Sequence, residues 1–187
     1  MKTMARRILH PNFLTLGRIV AVPLIVVLML FPNRINSFMA AVIFSAAAIT
    51  DFFDGYLARE HGMVSNFGRI MDPLADKLLV STAFIMLTGL GWAPSWMICV
   101  IIGRELAVTG LRNFMAESKE DLSASSLGKY KTGFQIAAII PLLIHYPLLG
   151  IDFTQVGGFF LWIALILTLW SGIDYFVRFR RLMQFNG

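Results

Sequence analysis

The stretch Leu78-Leu-Val-Ser-Thr-Ala-Phe-Ile-Met-Leu-Thr-Gly89-Leu-Gly-Trp-Ala-Pro94-Ser-Trp-Met-Ile-Cys-Val-Ile-Ile-Gly103 carries no charge over 26 residues and is interrupted once, by Gly89-Leu-Gly-Trp-Ala-Pro94. A bilayer span needs about 20 predominantly apolar residues, so an apolar run broken by a Gly/Pro turn signal reads as two helices. The second of them continues through Arg104 to about Met115. Four further apolar segments flank this pair: Phe13–Pro32, uncharged except for Arg18, Ile35–Thr50, Thr132–Ile151 and Phe153–Ile173. The expected fold class is therefore all-α: a polytopic membrane protein whose six transmembrane helices form one bundle, with residues 1–187 as a single domain.

Composition agrees. The chain is 57% hydrophobic and 14% charged, with a mean hydropathy of +0.72, whereas a soluble domain carries about 25% charged residues. Met1-Lys-Thr-Met-Ala-Arg-Arg7 has the look of a signal-peptide start, but no small-residue cleavage site follows, so the next segment reads as a retained helix. Cys99, the sole cysteine, lies in an apolar run and reads as packing.

Charge placement gives an orientation. Of 16 Lys and Arg, only Arg34 falls at the side opposite the N-terminus. By the positive-inside rule the N-terminus, the 59–71 loop, the loop from Asn113 to Lys131 and the C-terminus face the cytoplasm. Trp92 and Trp96 then sit at the outer interface. The net charge of +5 is mainly this topology signal, and it also suits anionic lipid or phosphorylated substrates. The dispersal of the basic residues argues against nucleic acid as a partner.

Within this apolar chain, four of the seven aspartates fall between Asp51 and Asp76. The pattern is Asp51-x2-Asp54-Gly55-x2-Ala58-Arg59-x8-Gly68-x3-Asp72-x3-Asp76. If the second helix runs to about Glu60, then Asp51, Asp54, Gly55 and Ala58 share one face, and the two carboxylates lie about 5–6 Å apart. Asp72-Pro73 reads as the start of the third helix, with Asp72 as N-cap and Pro73 at the first helical position, and Asp76 one turn on. A short connection makes these two helices antiparallel neighbours and gathers the four carboxylates at one end of the bundle. Hard oxygen ligands suit Mg²⁺ or Mn²⁺, and four carboxylates could hold two ions suited to phosphoryl transfer. The alternatives are plainer: Asp72 as an N-cap alone, or Asp54 paired with Arg59.

The same string resembles, at every defining position, the signature of the CDP-alcohol phosphotransferases. Three further segments resemble the phosphatidylglycerophosphate synthase branch: Pro11-Asn-Phe-Leu-Thr15-x2-Arg18, Arg104-Glu-Leu-x-Val-Thr-Gly-Leu-Arg112 and Gly128-Lys-x-Lys-Thr-Gly-x-Gln135. The likeness runs from Pro11 to Gln135. It implies six membrane helices, a divalent metal, and transfer of the phosphatidyl group of CDP-diacylglycerol to glycerol 3-phosphate, releasing CMP. By position, it implies that Asp51 and Asp72 bridge two metals, that Asp54 completes one shell and Asp76 the other, and that Asp76 is the general base. It further implies CDP-lipid contacts at Asn12, Thr15, Gly55, Ala58, Arg59, Ser65 and Gly68. The active site would face the cytoplasm in the cell membrane.

An acceptor bearing a phosphate dianion needs cations. Arg104, Arg112, Lys129 and Lys131 lie on the matching side. Arg104 and Glu105 inside an apolar helix are unsuited to face lipid, and Glu105 suits an interhelical ion pair. Lys129 and Lys131 also suit interfacial anchoring. Arg18 suits either a lipid diphosphate or a structural pair. His10, His61 and His145 are scattered, which argues against metal ligation by histidine. Gly157-Gly158 and the aromatics of the last segment are compatible with packing within one chain or with a homodimer. Inositol phosphate or serine as acceptor is the nearest alternative, and a divalent-cation transporter the alternative from another class.

Overall fold

A computed structural model describes residues 11–61, 66–117, 126–147 and 150–185, with side chains described outside 11–14, 51–61, 66–70, 116–117, 126–127, 129 and 181–185. The described residues form six α-helices and no strand: α1 (Pro11–Leu30), α2 (Arg34–His61), α3 (Asn66–Gly89), α4 (Ser95–Glu117), α5 (Ser126–Ile144) and α6 (Phe153–Phe185). The all-α expectation holds. Of these, α6 contains a stretch, Phe153–Arg180, long and apolar enough by itself to cross a bilayer, and shorter apolar helices run over Thr15–Leu30, Arg34–Thr50 and Tyr130–Ile144.

The predicted break in the long apolar run is a helix cap. Trp92 N–H donates to the Leu87 carbonyl at 2.8 Å and Gly91 N–H to that of Thr88 at 3.0 Å, with Gly91 at φ 72°. This is a Schellman cap, which needs a left-handed residue and so favours glycine. Pro94 then separates α3 from α4. At the same end of the bundle, Asn33 caps α2 by accepting from the amides of Ile35 (3.0 Å) and Asn36 (2.9 Å). Asp152 caps α6 through those of Thr154 (3.0 Å) and Gln155 (3.4 Å).

Several boundaries differ from the sequence expectation. Asp72 is not an N-cap: α3 begins at Asn66 and carries Pro73 inside it. A proline there removes one backbone bond, which a packed membrane helix tolerates. The α5 helix starts at Ser126, ahead of Thr132, and stops at Ile144, three residues before Pro147. The polar loop expected from Asn113 to Lys131 is thus helical at both ends. The α6 helix runs past Ile173 to Phe185. At 1.5 Å per residue its 33 residues span about 50 Å, against about 30 Å of hydrocarbon. The extension is polar where it leaves the apolar segment, and an Arg178–Asp174 pair at 3.0 Å, one turn apart, supports it.

The core is built from one stripe per helix: Ala21, Ile25 and Met29 of α1, Ala40 and Phe44 of α2, Leu79, Ala83 and Leu87 of α3, Ile101 of α4, Ile139 and Leu142 of α5, and Leu161 and Leu165 of α6. The outward faces are equally apolar, with Val20, Val27, Trp162, Ile166, Trp170 and Ile173 exposed. A surface as hydrophobic as the interior suits lipid rather than water as solvent. The α5 and α6 helices make the broadest interface. Gly157 lies there against Leu142, so close that an added Cβ would come within 2.6 Å of its Cγ. The α1 helix packs along both α2 and α3, which touch each other far less. It is therefore the third wall of the aspartate end of the bundle.

Candidate active site

Helix alternation places the starts of α1, α3 and α5 and the ends of α2, α4 and α6 together, and the ionisable side chains collect there. On α3, Asp72 and Asp76 stand one turn apart, with side chains 40% and 39% exposed. Both are engaged by α1. The Arg18 guanidinium, 2% exposed, donates from Nη2 to Asp72 Oδ1 at 3.1 Å and from Nη1 to Asp76 Oδ1 at 3.0 Å. The buried Thr15 hydroxyl donates to the same Asp72 oxygen.

Every one of these contacts goes to Oδ1. Among the described residues, Oδ2 of Asp72 and Oδ2 of Asp76 make no hydrogen bond or ion pair. Two half-exposed carboxylates, each with one oxygen anchored and the other available, are a hard-oxygen donor set of the kind divalent cations take. The residues present therefore fit a Mg²⁺-like ion. Asp51 and Asp54 lie on α2, and their side chains fall outside the described residues. No group of three metal-ligating side chains forms among those described.

A second charged group adjoins the first through the chain itself. Lys77, next to Asp76, reaches α4 and donates to the Thr109 hydroxyl, which in turn donates to the Glu105 carbonyl at 2.6 Å. Glu105 Oε1 accepts from Lys131 Nζ of α5, lies 3.7 Å from Arg104 Nη1, and is approached by Gln135 Nε2 at 3.5 Å. Lys131 and Gln135 are buried. The Arg104 side chain is 11% exposed, and its guanidinium lies 5.7 Å from the centre of the Tyr175 ring on α6. Gly172 leaves room for it: a Cβ there would approach Arg104 Cγ to 3.1 Å. Arg104 Nε is buried and has no hydrogen-bond partner among the described residues. Among the described residues, cations thus outnumber carboxylates in this group, and a buried donor is left over.

Of the residues singled out from sequence, Asp72 and Asp76 stand together, and Thr15 joins them by bonding to Asp72. Arg104 and Lys131 meet at Glu105. Arg112 is exposed on α4, with no ion pair among the described residues. Gly55, Ala58 and Arg59 lie on α2, Gly68 on α3 and Asn12 on α1, with side chains outside the described residues, as is that of Lys129 on α5. Ser65 lies outside the described residues altogether. Arg18, for which the sequence leaves a lipid diphosphate or a structural pair open, holds both carboxylates, and Lys77, Thr109, Gln135 and Tyr175 join the site with no spacing signal that marks them. The available signal for Arg18 was its being the sole charge in an apolar span, which marks function in a membrane helix.

A family model described as CDP-alcohol phosphatidyltransferase matches residues 8–170. Curated relatives named CDP-diacylglycerol–glycerol-3-phosphate 3-phosphatidyltransferase align along most of the chain. The Bacillus subtilis (strain 168) protein is 42% identical over 183 residues, covering 90% of this chain and 93% of that protein. That of Rickettsia typhi is 41% identical over 167 residues, covering 89% and 94%. That of Escherichia coli (strain K12) is 37% identical over 169 residues, covering 88% and 91%.

Proposed function

Because the chain belongs to the CDP-alcohol phosphatidyltransferase family, we propose that it transfers the phosphatidyl group of CDP-diacylglycerol to glycerol 3-phosphate, giving phosphatidylglycerophosphate and CMP. The family is one of membrane enzymes that use divalent metal ions. Relatives at 37–42% identity carry this activity in their names. The observation that carries the reading to this chain is the carboxylate pair with its available Oδ2 atoms, beside a buried, cation-rich group.

The primary hydroxyl oxygen of glycerol 3-phosphate attacks the phosphorus that bears diacylglycerol. A P–O bond forms there, the P–O bond to CMP breaks, and Asp76 takes the hydroxyl proton. Asp72 and Asp76, with Asp51 and Asp54 from α2, would hold Mg²⁺ or Mn²⁺, two ions in all. Bound there, the metal supplies positive charge to the diphosphate as it cleaves. Little covalent help is needed, because positioning and electrostatics dominate phosphoryl transfer. Arg59, Gly55, Ala58, Ser65, Gly68 and Asn12 line the CDP-lipid side, while Thr15, expected there from the sequence, is buried and gives its hydroxyl to Asp72 instead. Arg104 and Lys131, with Arg112 and Lys129 at the helix ends, receive the acceptor phosphate, and the donor left over at Arg104 Nε supports that assignment. The six helices form a single domain in the cytoplasmic membrane, with both termini and the site at the cytoplasmic face, as the basic residues favour.

The test is purified protein with CDP-diacylglycerol, Mg²⁺ or Mn²⁺, and a panel of acceptors. CMP release that depends on glycerol 3-phosphate supports the reading. Release with serine or inositol phosphate instead would reassign the acceptor, and ion flux without CMP release would overturn the enzyme.

A further inference from the structure

Arg18 lies outside the four-aspartate pattern, on a different helix, and yet, among the described residues, contacts both Asp72 and Asp76. We infer that Arg18 is the positioning residue of the carboxylate site: together with Thr15 it anchors Oδ1 of Asp72 and of Asp76, and so turns their Oδ2 atoms into one ligating edge for a divalent cation. The inference rests on the metal-dependent reading above.

The geometry favours this role over two others. A lone structural ion pair needs one carboxylate, but the Arg18 fork takes one Nη to each of two, at 3.1 and 3.0 Å. Those two carboxylates are one turn apart on α3, where like charges repel. A cation behind both relieves that repulsion while fixing both side-chain rotations. A lipid-diphosphate role would require the guanidinium to face the substrate. Instead it is 2% exposed, and the carboxylates it holds are 40% and 39% exposed. The cation thus lies on the interior side of the two carboxylates it holds. Asp72 has a second anchor in the Thr15 hydroxyl, three residues before Arg18 and on the same face of α1. Ligating carboxylates are commonly oriented by such outer hydrogen bonds, whose loss weakens metal affinity about 10–100-fold. A lysine would keep the charge but not the two-pronged planar donor.

The experiment measures Mn²⁺ affinity by electron paramagnetic resonance on the purified full-length chain, without CDP-lipid, with thermal melting as a check on folding. Arg18→Lys is expected to bind Mn²⁺ at least about 10-fold more weakly than the parent. Thr15→Val should show a smaller loss, and Thr15→Ser, which restores the hydroxyl, should return to the parent value. Arg18→Lys at parent affinity would overturn the inference while leaving the metal-dependent reading intact. If Arg18→Lys does not fold, the Thr15 pair decides: equal affinity in Thr15→Val and the parent overturns it. A parent chain that binds no Mn²⁺ removes the metal-dependent reading itself, and the inference with it.

Discussion

Lys131 on α5 donates to Glu105 on α4, and both side chains are drawn inward, 4% and 20% exposed. A lysine and a glutamate within apolar helices are expensive apart and tolerable together. Glu105 also lies near Arg104 and Gln135, so one carboxylate organises cationic and polar groups from two helices. The pair joins α4 to α5, and under the function proposed above it also keeps Lys131 at the acceptor side, two roles that substitution can separate.

Glu105→Gln leaves Lys131 buried without its counter-charge. We expect a loss of about 3 kcal/mol in stability, the low end of what removing one partner of a buried pair costs, read as a lower melting temperature in detergent. Lys131→Met removes the cation but keeps an apolar stem. The double variant should regain much of the stability lost by Glu105→Gln and still require far more glycerol 3-phosphate than the parent. Recovery of normal acceptor affinity in the double variant would remove Lys131 from the phosphate site.

Asp76→Asn keeps the shape of the side chain, and its amide oxygen can still accept from Arg18. It cannot take the proton of the acceptor hydroxyl. CMP release from CDP-diacylglycerol should fall by about 10²-fold or more with the melting temperature little changed. Full activity in a folded Asp76→Asn protein would exclude Asp76 as the base.

Local chemistry was legible in the sequence where the deciding contacts are themselves local. The α3–α4 break was readable because Gly91 and Pro94 are turn residues whatever surrounds them, and the Schellman bonds to Leu87 and Thr88 stay within one turn. Asp72-Pro73 misled for the converse reason: the dipeptide looks like a helix start, but packing of α1 against α3 carries the helix through it. The end of α6 was misplaced because its charged residues continue the helix beyond the apolar segment. The part played by Arg18 could not be read from spacing, since it depends on α1 lying between α2 and α3, with 54 residues separating Arg18 from Asp72. Glu105 and Lys131 were each flagged, but their partnership is a tertiary fact.

The α5–α6 interface offers a test with its own control. Gly157→Ala puts a Cβ within 2.6 Å of Leu142 Cγ and 3.0 Å of the Leu142 backbone nitrogen. The helices must separate, at a cost of about 1–3 kcal/mol. Gly158→Ala meets nothing within 4 Å and should be neutral or stabilising by up to about 1 kcal/mol, through helix propensity. Because α5 carries Lys131 and α6 carries Tyr175, the first change should also lower activity. Equal melting temperatures for the two variants would show that the close contact at Gly157 is not a determinant of stability.

At the opposite end of the bundle, His145 follows the last turn of α5 at φ 55° and stacks on Trp92, with ring centres 3.7 Å apart and planes within 4°. Burial pushes its imidazole below the usual histidine value, and Asp152 opposes this only partly. Nδ1 is buried with no hydrogen-bond partner among the described residues, so the neutral ring is the form that fits. The unfolded chain, with its imidazole near 6.5, then binds more protons than the folded one in the window just below that pH. Stability should be full above about pH 6.5, fall as the pH drops through that window, and level off below the folded value. Melting temperatures measured from about pH 8 down to about pH 5 read this directly. His145→Asn tolerates the same backbone conformation and removes the titrating group. It should lower the melting temperature at every pH through the lost stack, and flatten the acid-side decline. A decline of undiminished steepness in His145→Asn would assign the acid sensitivity to other groups.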